Sequence, residues 1–252
     1  MSGAVYPCLK DRLVVVTGGG SGIGEGLTEA YARQGARVVF LDIAEEASRA
    51  LEARLADLVP APVYLPCDLT DVEALKACFA RIEAEHGPVD ILLNNAANDD
   101  RHAADQVTPA YWDDRMAVNL RHQFFAAQAV APSMRARGSG VILNLGSISW
   151  HLGLADLSLY ETAKAAIEGM TRSLAREWGA DGVRVACIVP GNVRTPRQMQ
   201  WYTPEGEAEI VASQCLKIRI EPRDVAALAL FLSSDEARAI TGPEYFVDAG
   251  WR

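Results

Sequence analysis

Leu13-Val14-Val15-Val16-Thr17-Gly18-Gly19-Gly20-Ser21-Gly22-Ile23-Gly24 is the stretch whose reading decides the fold. Residues 13–16 are uniformly apolar, a glycine cluster follows, and 21–34 has helical patterning closed by Gly35. That order is strand, tight turn, helix. Backbone amides at a helix N-terminus attract anionic phosphate, and glycines let a pyrophosphate approach closely. The glycines are spaced Gly18-x-x-x-Gly22-x-Gly24; the G-x-G-x-x-G form fails, because counting from Gly18 and Gly20 puts Ile23 in the third place. A plain flexible turn is the alternative. The position at the start of a βαβ unit favours a dinucleotide site built from Gly18, Ser21, Gly22, Ile23 and Gly24.

Outward from this stretch, short apolar runs alternate with amphipathic ones. Strands are expected at 37–41, 63–65, 89–93, 141–145, 183–189 and 244–247. Helices are expected at 45–58, 71–86, 109–119, 121–137, 158–178 and 224–233. Strand–helix alternation at this spacing gives parallel strands joined by right-handed crossovers. Strands apolar throughout are covered on both faces. The expected fold is therefore α/β, one doubly wound parallel sheet of about seven strands with helices on both faces. No internal repeat or composition break divides residues 1–252, so one domain is expected. The polar, proline-containing excursion at about 191–217 reads as a substrate lid.

Composition bounds the function. Half of the 252 residues are apolar and 23% are charged, the mix of a folded chain with a full core. The formal net charge of −9 repels nucleic-acid backbones and anionic membranes, and the one dense basic cluster, Arg135 and Arg137, is short. The longest charge-free run, 138–155, is broken by glycine, serine and asparagine and does not read as a membrane span. No basic segment followed by a long apolar one opens the chain, so no secretory signal is read. Five scattered cysteines without C-x-x-C are expected to be buried reduced thiols of a cytoplasmic protein, with no metal site.

Asp42 ends the second strand, 18 residues after Gly24. A carboxylate there accepts hydrogen bonds from ribose hydroxyls and repels a 2′-phosphate. The neighbouring Ile43 offers no compensating charge, which favours NAD over NADP. The competing role for Asp42 is to cap the following helix. Asp68-Leu69, after the third strand, is a candidate adenine contact, with helix capping again the alternative. Further along, Ser147 follows the fifth strand, and Tyr160 and Lys164 lie four residues apart on one helix face. Hydride removal from a carbinol carbon requires a proton to leave its oxygen. A tyrosine of ordinary pKa, about 10, is a poor base near neutrality, and an ammonium one turn away is expected to lower that pKa. Ser147 is placed to orient the substrate oxygen.

Thr17–Gly24, Asp42, Asn94-Asn95-Ala96-Ala97, Asn119, Ser147, Tyr160-x-x-x-Lys164 and Pro190-Gly191 occur in the order and spacing of the short-chain dehydrogenase/reductase family, which the whole chain resembles. The resemblance implies a Rossmann fold and Tyr160 as general base. It implies Lys164 as ribose anchor, Ser147 as substrate orienter, and Asn119 holding a water in a proton relay. It adds Asn95, Ala96, Pro190, Gly191 and Val193 to the NAD contacts, along with Tyr160 and Lys164. Ala97 departs from the family's usual glycine and is expected to alter a cleft wall slightly.

Residues 98–102 (N-D-D-R-H), 147–151 (S-I-S-W-H), Asn192, and Trp201-Tyr202 offer amide, hydroxyl, imidazole and carboxylate groups beside aromatic faces. A polyhydroxylated ligand needs that mix. Asn98, Ser147, Ser149, His151, Tyr160, Asn192 and Trp201 are the expected contacts. These segments resemble those of the family's aldopentose 1-dehydrogenases, which implies oxidation of a sugar such as D-xylose or L-arabinose at C1 to the aldonolactone. One alternative is another sugar or a 2-keto-3-deoxy sugar acid, held by Arg101, Arg194 or Arg197. A more distant one is a non-catalytic NAD-sensing regulator. The helices at 121–137 and 158–178 are apolar on more than one face (Phe124, Phe125 and Val130; Ile167, Met170 and Leu174), so a homodimer or homotetramer is expected.

Overall fold

A computed structural model of the chain describes residues 3–200 and 202–251. The seven strands are β1 (Leu13–Thr17), β2 (Arg37–Asp42), β3 (Val63–Pro66), β4 (Ile91–Asn94), β5 (Gly140–Leu145), β6 (Val183–Pro190) and β7 (Glu244–Val247). They form one sheet in the order β3-β2-β1-β4-β5-β6-β7, and every neighbouring pair is parallel. The helices are α1 (Gly22–Arg33), α2 (Glu45–Arg54), α3 (Val72–His86), α4 (Pro109–Met116), α5 (His122–Arg137), α6 (Ser149–Leu152), α7 (Ser158–Trp178), α8 (Pro196–Met199), α9 (Pro204–Ser213) and α10 (Pro222–Ser233). This is the doubly wound Rossmann architecture.

Side chains alternate across each strand, and the two faces of the sheet build separate cores, with a smaller cluster of Ile148, Ile167, Cys187 and Val189 near the cleft. Val14, Val16, Val38, Phe40, Leu143 and Ile188 face α1, α2 and α10, where Leu27, Tyr31, Leu51 and Val225 meet them. Leu13, Val15, Val39, Leu41, Leu92 and Ile142 face the other way, onto Leu75 and Phe79 of α3, Val130 of α5 and Leu174 of α7. The strands are apolar at successive positions because both faces are covered. Burying each such side chain contributes about 1.5–3 kcal/mol before chain entropy is subtracted. Tyr31 puts a phenol into the first core and satisfies it on Ala229 O (2.8 Å) and Ser233 Oγ (2.5 Å).

The register aligns the strand ends. Thr17 pairs with Leu41 and with Asn94, Asn94 with Asn144, and Asn144 with Cys187. The loops after β1, β4, β5 and β6 therefore open on one edge, with the change of winding direction between β1 and β4.

Two sequence expectations, on the helices at 109–137 and on the cysteines, are corrected. Residues 109–137 do not break into two helices near residue 120. α4 passes into α5 through a π-helical turn, Ala117–Arg121, that carries Asn119 inward. The excursion at 191–217 contains α8 and α9, each opened by a threonine cap and a proline. Of the five cysteines, all free, only Cys67 and Cys187 are buried; Cys8 and Cys78 are half-buried and Cys215 is exposed. No described helix is long and apolar enough to cross a membrane. No cluster of metal-ligating side chains occurs among the described residues.

Candidate active site

The open edge of the sheet holds a cleft of about 1000 Å³. Its first half is built by the glycine turn. Gly18 and Gly22 take φ of +61° and +56°, a region that side chains disfavour. A Cβ on Gly18 would stand 2.7 Å from Ala96 Cα. Asn95 ties this turn to β4, its Nδ2 donating to Thr17 O (3.1 Å) and Gly18 O (2.9 Å). The Ser21 side chain makes no cap bond to α1, which leaves first-turn amides of that helix free for an anion. These features fit a dinucleotide pyrophosphate.

Asp42 serves the turn as well as the cleft. Its Oδ2 accepts from Gly20 N and its Oδ1 from Ala44 N, both at 2.9 Å. These two bonds leave acceptor sites of the carboxylate free, since it has about four. Ile43 lies beside it, exposed. Asp68 Oδ1 accepts from Thr70 N (2.9 Å) and Thr70 Oγ1 (2.7 Å) while lining the cleft with Leu69. Ala96, Ala97, Pro190, Gly191 and Val193 complete this wall. Among the described residues, the lysines and arginines that line the cleft are Lys164, Arg101, Arg115 and Arg197. None of them comes from the segments after β1, β2 or β3.

In the other half, Ser147 and the Tyr160 phenol line the same end of the cleft, and Ser147 acts on the phenol to lower its pKa. Ser149 Oγ lies 2.9 Å from Ser147 Oγ. Lys164 Nζ sits 5.4 Å from the centre of the Tyr160 ring and donates to Leu145 O at 2.8 Å. Helix α7 is fixed to the sheet by buried amides: Asn94 Nδ2 donates to Asn144 Oδ1 (2.9 Å), and Asn144 Nδ2 to Thr171 Oγ1 (2.9 Å).

The electrostatics differ from the expectation that Lys164 lowers the Tyr160 pKa. Burial pushes the phenol up, the Asp99 carboxylate pushes it further, and Ser147 and Arg197 only partly oppose them. Lys164 is 2% exposed, and burial pushes its ammonium down to about 8. Its own charge is thus weakened. His122, from α5, is pushed down to about 4, by burial first and Lys164 second, and bonds Ala96 O at 3.0 Å.

Asn119 lies behind the cleft rather than in its wall. Its Oδ1 accepts from Asn98 N at 2.8 Å, and its Nδ2 is buried with no hydrogen-bond partner among the described residues. Asn98, Ser149 and Asn192 line the cleft. Asn98 Oδ1 accepts from Asp100 N (2.9 Å), and Asn192 Nδ2 donates to Tyr202 OH (2.6 Å). His151 is a correction. It stacks on Trp150 with ring centres 3.8 Å apart, lies 3.2 Å from Glu168 Oε1, and is absent from the cleft lining. The short helix α6 turns it toward Phe246. Trp201 lies outside the described residues. Sequence reasoning missed Leu152, Leu154, Leu157, Gln198 and Trp251, which wall the cleft. The three leucines carried a signal as apolar positions flanking a glycine turn.

A Rossmann sheet with a glycine turn at one end of its cleft and Ser147, Tyr160 and Lys164 at the other defines a class of oxidoreductases. A family model described as enoyl-(acyl carrier protein) reductase matches residues 18–252. The chain belongs to the short-chain dehydrogenase/reductase family, whose dehydrogenases use nicotinamide cofactors. It is 66% identical to a D-xylose 1-dehydrogenase of Caulobacter vibrioides over 252 residues, all of both chains. It is 47% identical to a probable galactose dehydrogenase of Rhizobium meliloti, covering 97% of this chain and 96% of that one. A solved structure titled ribose-5-phosphate isomerase, from Brucella melitensis, is similar with a TM-score of 0.89 and 29% identity, over 99% of this chain and 95% of that one.

Proposed function

We propose that this protein oxidises a cyclic aldopentose, D-xylose or L-arabinose, at C1 to the aldonolactone, with NAD as the cofactor. The observation that carries the reading is that Ser147, Tyr160 and Lys164, whose Nζ lies 5.4 Å from the Tyr160 ring centre, share one cleft with the glycine turn. The full-length likeness to a D-xylose 1-dehydrogenase supports the sugar and the position of attack.

Ser147 holds the anomeric oxygen, and Tyr160 takes its proton. Two of the three Lys164 donors are left for ribose hydroxyls and a water, since one is spent on Leu145 O. The unpartnered Nδ2 of Asn119 suits an ordered water between Asn119 and Lys164, the next station for the proton. NAD, when bound, would supply the hydride acceptor and a positive ring whose charge lowers the cost of a phenolate. Gly18, Ser21, Gly22, Ile23 and Gly24 would hold its pyrophosphate. Asp42 would take the adenosine ribose, with Ile43, Asp68, Leu69, Asn95, Ala96, Pro190, Gly191 and Val193 around it. Asp42, with no lysine or arginine beside it in the cleft lining among the described residues, favours NAD over NADP.

The cleft favours a neutral sugar over a sugar acid. Arg197 is occupied by Asp99 and Asp100, and Arg115 by Asp100 and Asp114. Arg194 lies 4.0 Å from Glu221. Arg101 alone of these lacks a carboxylate partner among the described residues, donating to Ala155 O at 3.3 Å. A panel of D-xylose, L-arabinose, D-galactose and sugar acids with NAD and with NADP tests the reading. Turnover of a pentose with NAD is expected; activity confined to acids or to NADP overturns it. The half-exposed Trp112 and Phe124 of α4 and α5 support a homo-oligomer in solution.

A further inference from the structure

We propose that Trp251 is a substrate-binding residue: its indole is the apolar platform on which the C–H face of the sugar ring lies, and the segment after β7 is folded to deliver it there. This rests on the reading of the substrate as a cyclic sugar.

The chain turns back sharply after β7. Ala249 and Gly250 take φ of +55° and +74°, a region that residues with a Cβ disfavour. Asp248 Oδ1 accepts from Gly250 N at 2.9 Å and closes the turn. Two backbone bonds strap the turn to the chain after α9: Cys215 N donates to Gly250 O (3.2 Å), and Leu216 N to Ala249 O (2.9 Å). A third, from Gly191 N to Val247 O (2.9 Å), ties its start to the end of β6. The approach is close on both sides. A Cβ on Gly191 would stand 2.7 Å from Asp248 Cα, and one on Gly250 would stand 2.8 Å from Cys215 Cβ. A left-handed alanine is kept where surrounding bonds over-determine it, and such places cluster at functional sites.

The strap sets the indole in the cleft lining, partly buried and packed on the cluster of Ile148, Ile167, Cys187 and Val189. Ile148 stands between Ser147 and Ser149, and its N donates to Pro190 O at 3.1 Å. Trp251 therefore packs where the ends of β5 and β6 bring Ser147, Ser149 and Asn192 into the cleft. The other aromatic rings that line the cleft among the described residues are Tyr160, Tyr202 and His122. Tyr160 is read as the base, Tyr202 OH is bonded to Asn192 and Gln198, and His122 is bonded to Ala96 O. A sugar ring carries hydroxyls at its rim and C–H bonds on its faces, so it needs polar partners around it and one flat apolar surface. An indole offers that surface on a side chain with two rotatable bonds.

The test compares sugar kinetics with NADH affinity in Trp251→Ala, Trp251→Leu and Trp251→Phe. Trp251→Ala is expected to raise the pentose KM about 10–30-fold, with the NADH Kd unchanged. Trp251→Leu keeps apolar bulk without a flat face and is expected to lie near Trp251→Ala, whereas Trp251→Phe recovers most of the loss. Gly250→Ala leaves the indole in place chemically but forces the strap away from Cys215, and is expected to raise the sugar KM in the same direction. Adding the sugar to the NADH complex is expected to change tryptophan emission in the parent and in Trp201→Phe, and not in Trp251→Phe. A sugar KM that stays still in Trp251→Ala, or an NADH affinity that falls in parallel with it, overturns the proposal. So does a sugar-dependent emission change that survives in Trp251→Phe and is lost in Trp201→Phe. A parent that turns over no sugar overturns the reading of the substrate instead.

Discussion

Lys164 Nζ donates to the carbonyl of Leu145, the residue that ends β5 two positions before Ser147. One bond thus couples the spacing of the α7 face to the strand end that delivers the serine. It also fixes where the remaining donors of the ammonium point.

Replacing Lys164 with Met is expected to lower kcat by about 10²–10⁴ without loss of stability. The side chain is fully buried and its charge is already disfavoured there, so an apolar replacement relieves desolvation. Steady-state kinetics and a melting curve on the same preparation check both halves; a sharp fall in Tm would contradict the second.

Tyr160→Phe is expected to remove turnover, by about 10³ or more, while NADH still binds. Fluorescence titration with NADH separates the two. Unchanged turnover would exclude the phenol as base.

Asp42→Ser is expected to raise the use of NADP relative to NAD and to cost about 1–2 kcal/mol of stability. The stability loss follows from the carboxylate's bonds to Gly20 N and Ala44 N. The ratio of kcat/KM for the two cofactors, with urea unfolding, measures each effect.

His122 gives the stability of the protein a pH dependence. Its folded pKa of about 4 lies below the ordinary 6.5. Between those values the unfolded chain binds a proton that the folded chain refuses. Stability therefore falls as the pH drops from 6.5 to 4, by roughly 3 kcal/mol. His122→Gln is expected to flatten that slope, read as Tm against pH. An equal slope in the variant would assign it to other groups.

The sheet was legible because all seven strands are short apolar runs between turn signals, and most boundaries agree within two residues. The glycine turn, Asp42, and the Ser147, Tyr160 and Lys164 set were legible because their spacing reports the strand ends and the helix face. His151 was not: it lies four residues after Ser147, but the unpredicted turn of α6 rotates it onto Trp150 and Glu168. The sign of the Tyr160 shift was not legible either. It depends on desolvation and on Asp99, a residue 61 positions away in the chain. The Asn94–Asn144–Thr171 ladder was hidden for the same reason, since hydrogen bonds between elements leave no periodicity.

The π turn at Ala117–Arg121 holds one residue more than an α-helix would need there. Deleting one residue of it would let α4 run into α5 with ordinary winding and remove the bulge that carries Asn119 inward. Asn119 would then leave the partner it has in Asn98. This segment should accept changes of side chain far more readily than changes of length, and natural indels in such chains should avoid it.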